Sequence, residues 1–199
     1  MNELIRAFVA VEVPESVRNQ AGALVRSIPS VLGVRWVRPE AMHLTLAFLG
    51  EQRPDFIESA KTALAPVGLD HSRFKARLSG LGAFPNPKRA RVVWAGMNAG
   101  QDEVCRLQRA VVAALVRIGF VPESRKFSPH LTLGRLKVPA DVSAVTAVRF
   151  ESDLFPVDRF VLFRSELRPE GPRYSRLGDY PLSGQSPLAT SNPAGRPGR

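Results

Sequence analysis

Two of the three histidines in this chain sit in the same tetrapeptide. His43-Leu44-Thr45-Leu46 and His130-Leu131-Thr132-Leu133 lie 87 residues apart. Read as strands, each copy sends its His and Thr to one face and its two leucines to the other. Same-face neighbours on a strand are about 6.5–7 Å apart, so an imidazole and a hydroxyl stand side by side. One such strand is ordinarily structural. An LTL following a given His is expected on the order of once in a thousand or less at average residue usage. Two copies among three histidines therefore point to shared ancestry, shared chemistry, or both.

The chemistry follows from the side chains. Histidine titrates at about 6.5, so near neutral pH a pair can hold one neutral and one protonated member. One imidazole can take a proton from an attacking water while the other gives one to a leaving oxygen. Threonine hydroxyls can donate hydrogen bonds to non-bridging phosphoryl oxygens. Imidazolium, hydroxyls and nearby arginines supply the compensating charge, so the reading needs no metal and no cofactor. No Cys, His or carboxylate cluster with metal-ligand spacing is visible. The substrate that suits this set is a phosphodiester poised for in-line displacement, such as a 2′,3′-cyclic phosphate on RNA.

Strands and helices must bring the two tetrapeptides together. "RAFVAVEV", from Arg6 to Val13, reads as a strand. Val17, Ala21, Leu24 and Ile28 recur at helical spacing after Pro14. "HLTLAFLG" is a second strand. Ile57, Ala60 and Leu64 mark a second helix, expected to close at Pro66 and Gly68. "RFKARLSGLGAF" and "ARVVWAGM" read as strands around a turn at Pro85, Asn86 and Pro87. Val104, Leu107, Val111, Leu115 and Ile118 mark a third helix, stopped by Gly119. "HLTLGRL" follows as a strand, and "RFVLFRSEL" with "RYSRL" forms a final hairpin around Pro169, Glu170 and Gly171. The class is mixed α and β, with antiparallel sheets and helices on their outer faces. Each half carries one HLTL strand, which suggests an internal duplication, although the halves do not align outside the tetrapeptides. The domain is expected over 1–182, with 183–199 a disordered tail of Ser, Pro, Gly and Ala.

The 199 residues suit one domain or two small lobes. A single Cys105 excludes an internal disulfide and a Cys-rich metal site. "MNELIRAFVAVEVP" lacks a signal peptide's form, and no stretch has the length to span a bilayer, so the expected location is cytoplasmic. Net charge is +10, and +8 remains without Arg196 and Arg199 of the last eighteen residues. Such an excess favours polyanionic partners, chiefly nucleic acid.

The paired HxTx motifs resemble the 2H phosphoesterase superfamily. The flanking stretches "RAFVAVEVP", "MHLTLAFLGE", "RVVWAGM", "FSPHLTLGR" and "LFRSELRPEGPRY" are similar to the RNA 2′,3′-cyclic phosphodiesterases, also called 2′-5′ RNA ligases. The resemblance runs from Arg6 to about Tyr180. It implies a bilobal α/β fold with pseudo-two-fold symmetry and two mainly antiparallel sheets lining a central cleft. It implies that His43 donates a proton to the leaving oxygen and that His130 accepts one from water. Thr45 and Thr132 would bind the phosphate, and the usual product would be a 2′-phosphomonoester. The acid and base labels rest on the resemblance alone, because the sequence is symmetric between the two histidines.

Other residues carry weaker signals. Arg135 lies five positions after His130, so strict alternation places it on the opposite face; a bulge at Gly134 would bring it back as a substrate contact. Arg6 and Phe8 share a strand face that could reach the cleft, with Phe8 read first as core. Phe84, Trp94 and Phe127 are also read as core residues, with stacking on a base as the second reading. His71 is read as a surface residue beside a turn, and Cys105 as a packing or surface residue. "NPKRAR", Asn86 to Arg91, is a basic turn and a candidate RNA contact. The expected partner is RNA with 2′,3′-cyclic phosphate ends, tRNA among the candidates, met by a monomer. Three alternatives stay open: a ligase joining tRNA halves through a 2′-5′ bond with the same residues, an RNA-binding module without catalysis, and an enzyme acting on a small cyclic nucleotide.

Overall fold

The alternation of the two HLTL segments decides how the sheet is buried. In the computed structural model, which describes residues 3–28, 33–169 and 171–183, Leu44, Leu46, Leu131 and Leu133 are all buried in one core cluster. His43, Thr45, His130 and Thr132 are only half-buried, on the other face. A one-residue slip of either strand would turn its leucines outward and its polar pair into the core. Burying one leucine is worth about 1.5–3 kcal/mol, so the leucines hold the register on which the polar face depends.

The strands are β1 (Ile5–Glu12), β2 (Val34–Trp36), β3 (His43–Gln52), β4 (Phe74–Phe84), β5 (Ala90–Ala99), β6 (Leu131–Ala140), β7 (Phe155–Val157), β8 (Arg159–Arg168) and β9 (Gly171–Pro181). The helices are α1 (Glu15–Ser27), α2 (Pro54–Leu69), α3 (Gln101–Val116) and the short α4 (Ser143–Thr146). The strands lie in the order β7-β4-β5-β6-β3-β1-β8-β9, with β2 paired to β6 outside this path. All pairs between these strands are antiparallel.

The order is symmetric about its centre. β6 and β3 sit in the middle, β5 and β1 flank them, and β4 and β8 come next. Chain order repeats the same way: β1, α1, β3, α2, β4 in the first half and β5, α3, β6, α4, β8 in the second. The third strand of each set crosses over, β4 pairing with β5 and β8 pairing with β1. The two halves, each with one tetrapeptide, therefore repeat the same arrangement of elements. The two expected sheets are joined into one sheet of nine strands, through a single register pair, Leu44 with Leu131.

The helices cover the leucine face. Val17 and Ala21 of α1, Ile57, Ala60 and Leu64 of α2, and Val104, Leu107, Val111 and Leu115 of α3 are buried in the same cluster as the HLTL leucines. A smaller cluster lies on the opposite face, formed by Phe8, Ala10, Val161 and Phe163 with Tyr174 packed against it. β1 thus alternates between two apolar environments, Ala7, Val9 and Val11 on one side and Phe8 and Ala10 on the other.

Two expectations change. α2 runs through Pro66 to Leu69 instead of closing at the proline. Proline forfeits its own N–H bond, but it lies in the last turn, and its carbonyl still accepts from the Asp70 N–H at 3.1 Å. β2 and β7 escape a sequence reading because three residues are too few to show a period. The expected tail lies, from residue 184 onward, outside the described residues, as does Glu170 of the hairpin turn.

Candidate active site

The antiparallel pair Leu44–Leu131 brings the two motifs edge to edge. The ladder between β3 and β6 is this one pair, and its antiparallel register, continued one step either side, places His43 opposite Thr132 and Thr45 opposite His130. Directly opposed residues share a face. The four polar side chains therefore form one patch, with the histidines on its diagonal.

Each ring is fixed in the same way. His43 Nδ1 lies 2.9 Å from the Ala41 carbonyl oxygen. His130 Nδ1 lies 2.7 Å from the Ser128 carbonyl oxygen. A carbonyl can only accept, so Nδ1–H is the donor in both cases and Nε2 is left for chemistry. The acceptor is two residues before the histidine in both motifs, which is a local consequence of how the chain enters each strand.

Aromatic rings frame the pair. Phe8 stacks on His43 with centroids 4.6 Å apart, and Tyr174 meets the same imidazole edge-on at 5.3 Å. Phe84 meets His130 edge-on at 5.1 Å, and Trp94 lies 6.2 Å from it. The Trp94 ring lies over Gly82, its register partner on β4, where a Cβ would run into the indole. Burial among these rings disfavours the imidazolium. It lowers the His43 pKa to about 4, against the support of the Ala41 carbonyl and with smaller contributions from Arg135 and His130. Burial also lowers His130, opposed by the Ser128 carbonyl and aided by Arg135. Tyr174 is raised by burial, with Arg135 and Arg6 pulling the other way.

Arg135 reaches this face through a bulge. On β6, Leu131 pairs with Ala95 and Thr132 with Trp94, but the next pair is Gly134 with Val93, so Leu133 has no partner on β5. Leu133 and Gly134 are both buried, Arg135 is exposed and Leu136 returns to the core. The extra residue reverses the alternation and sets Arg135 on the side of His130 and Thr132. Gly134 permits it: a Cβ there would sit 2.8 Å from both Trp36 and Val34 of β2.

β3 carries the same device. Thr45 pairs with Ala10 and Ala47 with Val9, leaving Leu46 unopposed. Leu46 and Ala47 are buried and Phe48 is exposed. Phe48 therefore holds the position in the first motif that Arg135 holds in the second. The Arg6 guanidinium lies over its ring, 4.6 Å from the centroid.

The five site residues expected from sequence, His43, His130, Thr45, Thr132 and Arg135, are thus brought onto one face. Phe8 is buried as expected, yet its ring touches His43. Phe84 and Trp94 contact His130, whereas Phe127 packs against the core. Tyr174 and Phe48 were missed. Tyr174 arrives from β9 by a long-range pairing that leaves no local mark, and Phe48 falls on the core face under strict alternation. His71 lies apart, its Nδ1–H donating to the Val67 carbonyl at 2.8 Å near the end of α2. Cys105 is half-buried on α3, its thiol pushed up by burial, which disfavours the thiolate. Among the described residues no group of three His, Cys, Asp or Glu could hold a metal ion, and no helix is long and apolar enough to cross a membrane.

The family model of LigT-like phosphoesterases matches residues 11–94 and 96–174. The chain belongs to that family. Among its relatives is an RNA 2′,3′-cyclic phosphodiesterase of Archaeoglobus fulgidus, 36% identical over 176 residues, covering 87% of this chain and 98% of that protein. Another protein of that name, from Thermus thermophilus, is 35% identical over 185 residues, covering 91% of this chain and 92% of that protein. Among solved structures, TT0787 of Thermus thermophilus superposes with a TM-score of 0.78 at 33% identity, covering 91% of this chain and 100% of that one. Escherichia coli LigT complexed with 3′-AMP gives a TM-score of 0.76 at 25% identity, covering 91% of this chain and 99% of that one.

Proposed function

We propose that this protein hydrolyses 2′,3′-cyclic phosphodiester ends of RNA to 2′-phosphomonoesters, using its two motif histidines as the acid-base pair and no metal ion. The observation that carries the reading is the diagonal His-Thr quartet, with both Nδ1 atoms held by carbonyls and neither Nε2 atom hydrogen-bonded among the described residues. The names of the relatives support its cyclic-phosphodiesterase part.

In this mechanism the cyclic phosphate sits over the quartet. Thr45 and Thr132 donate to its non-bridging oxygens, and Arg135 compensates the charge that builds up on phosphorus. His130, neutral and protonated on Nδ1, accepts a proton at Nε2 from water as the water oxygen bonds to phosphorus. The bond from phosphorus to the 3′-oxygen breaks, and His43 Nε2–H supplies the proton to that oxygen. The phosphate remains on the 2′-oxygen. His43 resists protonation in the free protein, but an anion beside Nε2 favours the imidazolium. Substrate binding thereby helps charge the acid it needs.

The test is product analysis on an oligoribonucleotide ending in a 2′,3′-cyclic phosphate, with and without excess chelator. The expected result is a 2′-phosphate end at the same rate in both. His43→Ala and His130→Ala should each lower turnover by about 10² to 10⁴, the range for general acid-base residues. The double variant should fall little further, because the two act as a unit. Near-normal turnover in either single variant, or loss with chelator that one divalent ion restores, would overturn the mechanism.

A further inference from the structure

The short strand β2 puts a second arginine beside Arg135. Arg35 is its register partner, between the pairs Val34–Leu136 and Trp36–Gly134. Val34 and Trp36 pack against the core, so Arg35 turns to the face that carries His130, Thr132 and Arg135. Both arginines are exposed. Residues directly opposite each other on an antiparallel pair have Cβ atoms about 4.5–5.5 Å apart, and like charges there oppose the pairing. No carboxylate relieves them: among the described residues neither guanidinium takes part in an ion pair. Arg135 is the inner member, since its charge acts on His43, His130 and Tyr174. Arg35 is not among the charges acting on these three, and it stands one strand spacing, about 4.8 Å, to the side. Two unneutralised guanidiniums so close on one face suit a single anion held between them.

We propose that Arg35, paired with Arg135, binds the phosphate that joins the terminal ribose of the substrate to the nucleotide before it. The inference rests on the reading of the substrate as an RNA end with a 2′,3′-cyclic phosphate. A cyclic phosphate closes the 3′ end of a strand, so the one neighbouring phosphate is on the 5′-oxygen of the same ribose. The quartet and the arginine pair are about 7 Å apart along β6, the step from Thr132 to Arg135 across the bulge. One ribose bridges such a gap between two phosphates. Lys137 follows Arg135 on the same face after the buried Leu136, so the positive edge runs on away from the histidines. Arg35 touches no reacting atom and acts on substrate choice. An RNA end is told from a cyclic mononucleoside because only the RNA end has an anion to place between the two guanidiniums.

The experiment measures kcat/KM for a dinucleotide ending in a 2′,3′-cyclic phosphate and for the same dinucleotide with a neutral methylphosphonate linkage. The wild-type protein should favour the phosphate linkage by about 5- to 20-fold, between the worth of an exposed ion pair and that of a charge-assisted hydrogen bond. Arg35→Gln should bring that ratio down to about twofold, mainly by raising KM for the phosphate-linked substrate. It should also reduce the slope of log KM against log salt for that substrate by about 0.7, the value of one phosphate contact on a single strand. Arg35→Lys keeps the charge and should retain the salt slope and part of the preference. Thermal melts separate binding from strand pairing: removing one of two opposed like charges should leave the midpoint of Arg35→Gln level or higher. An unchanged ratio in Arg35→Gln, or a ratio lost together with a lowered midpoint, would overturn the phosphate site while leaving the hydrolase reading intact. A nucleoside 2′,3′-cyclic phosphate bearing a free 5′-phosphate, opened faster than the phosphate-linked dinucleotide, would overturn RNA as the source of the anion. Failure of the wild-type protein to open any of these substrates would overturn the hydrolase reading as well.

Discussion

The two histidines are alike in partners and unlike in setting, and that difference has a measurable sign. His43 has its pKa lowered to about 4 by burial, against about 6.5 in an unfolded chain. As pH falls below 6.5 the unfolded state takes up the proton first, so stability is lost between 6.5 and 4 and unaffected above 6.5. At pH 4.5 the loss from this one group is about 2–3 kcal/mol. His43→Gln should therefore flatten the fall in urea midpoint between pH 7.5 and 4.5, while the lowered His130 keeps a residual slope in the same direction. A variant as acid-sensitive as the wild type would show that His43 is protonated in the fold. The same shifts act on kcat/KM, whose acidic limb reports the free protein and should lie below pH 6.5. Bound phosphate should move the His43 imidazole titration, followed by NMR, to higher pH, since an adjacent anion favours the charged ring.

At the scale of the element, the bulge is the part most open to test. β6 needs Gly134 because Trp36 and Val34 of β2 close over it. Gly134→Val should cost about 1–3 kcal/mol of stability, the usual range for overpacking. It should also displace Arg135 and raise KM for the phosphodiester more than it lowers kcat. Pairing it with Val34→Ala should recover much of the lost stability, because it removes one of the two contacts. Thermal melts and steady-state kinetics on the single and double variants check both parts. His71→Ala, away from the quartet, should leave turnover nearly unchanged.

Across the whole molecule the charge is less free than its sum. Four of the five arginines of the last hairpin are tied to carboxylates: Arg159 and Arg176 to Asp179, Arg176 to Glu12 at 2.6 Å, and Arg164 and Arg168 to Glu166. Lys88 and Arg89 lie instead in the basic turn, a single 3₁₀ turn held by the Asn86 side chain. That turn leaves from Phe84, whose ring touches His130. RNA affinity should therefore depend on this turn more than on the hairpin. Replacing Lys88 and Arg89 together by Gln should reduce the slope of log affinity against log salt by about 1.4 for a single-stranded oligonucleotide, at about 0.7 per phosphate contact. Arg168→Gln should change it less. Equal effects would mean that the hairpin carries the strand.

The sequence by itself marked the candidate site. The paired HLTL segments name both histidines and both threonines, and their alternation assigns them to one face, because a strand's period is two wherever it is regular. The helices were legible for the same reason: Ile57, Ala60 and Leu64, or Val104, Leu107, Val111 and Leu115, repeat at the spacing of one helical face. Tertiary structure decided the rest. Whether the two motifs are neighbours depends on the pairing of Leu44 with Leu131, across 87 residues of chain. The crossing of β4 and β8 to the opposite halves is a matter of long-range pairing with no local signal. The faces of Arg135 and Phe48 turn on a bulge, which one unpaired residue creates and a regular period hides. Tyr174 joins His43 only because β9 closes over β8, and the depth of burial that lowers the His43 pKa is a property of all these rings together.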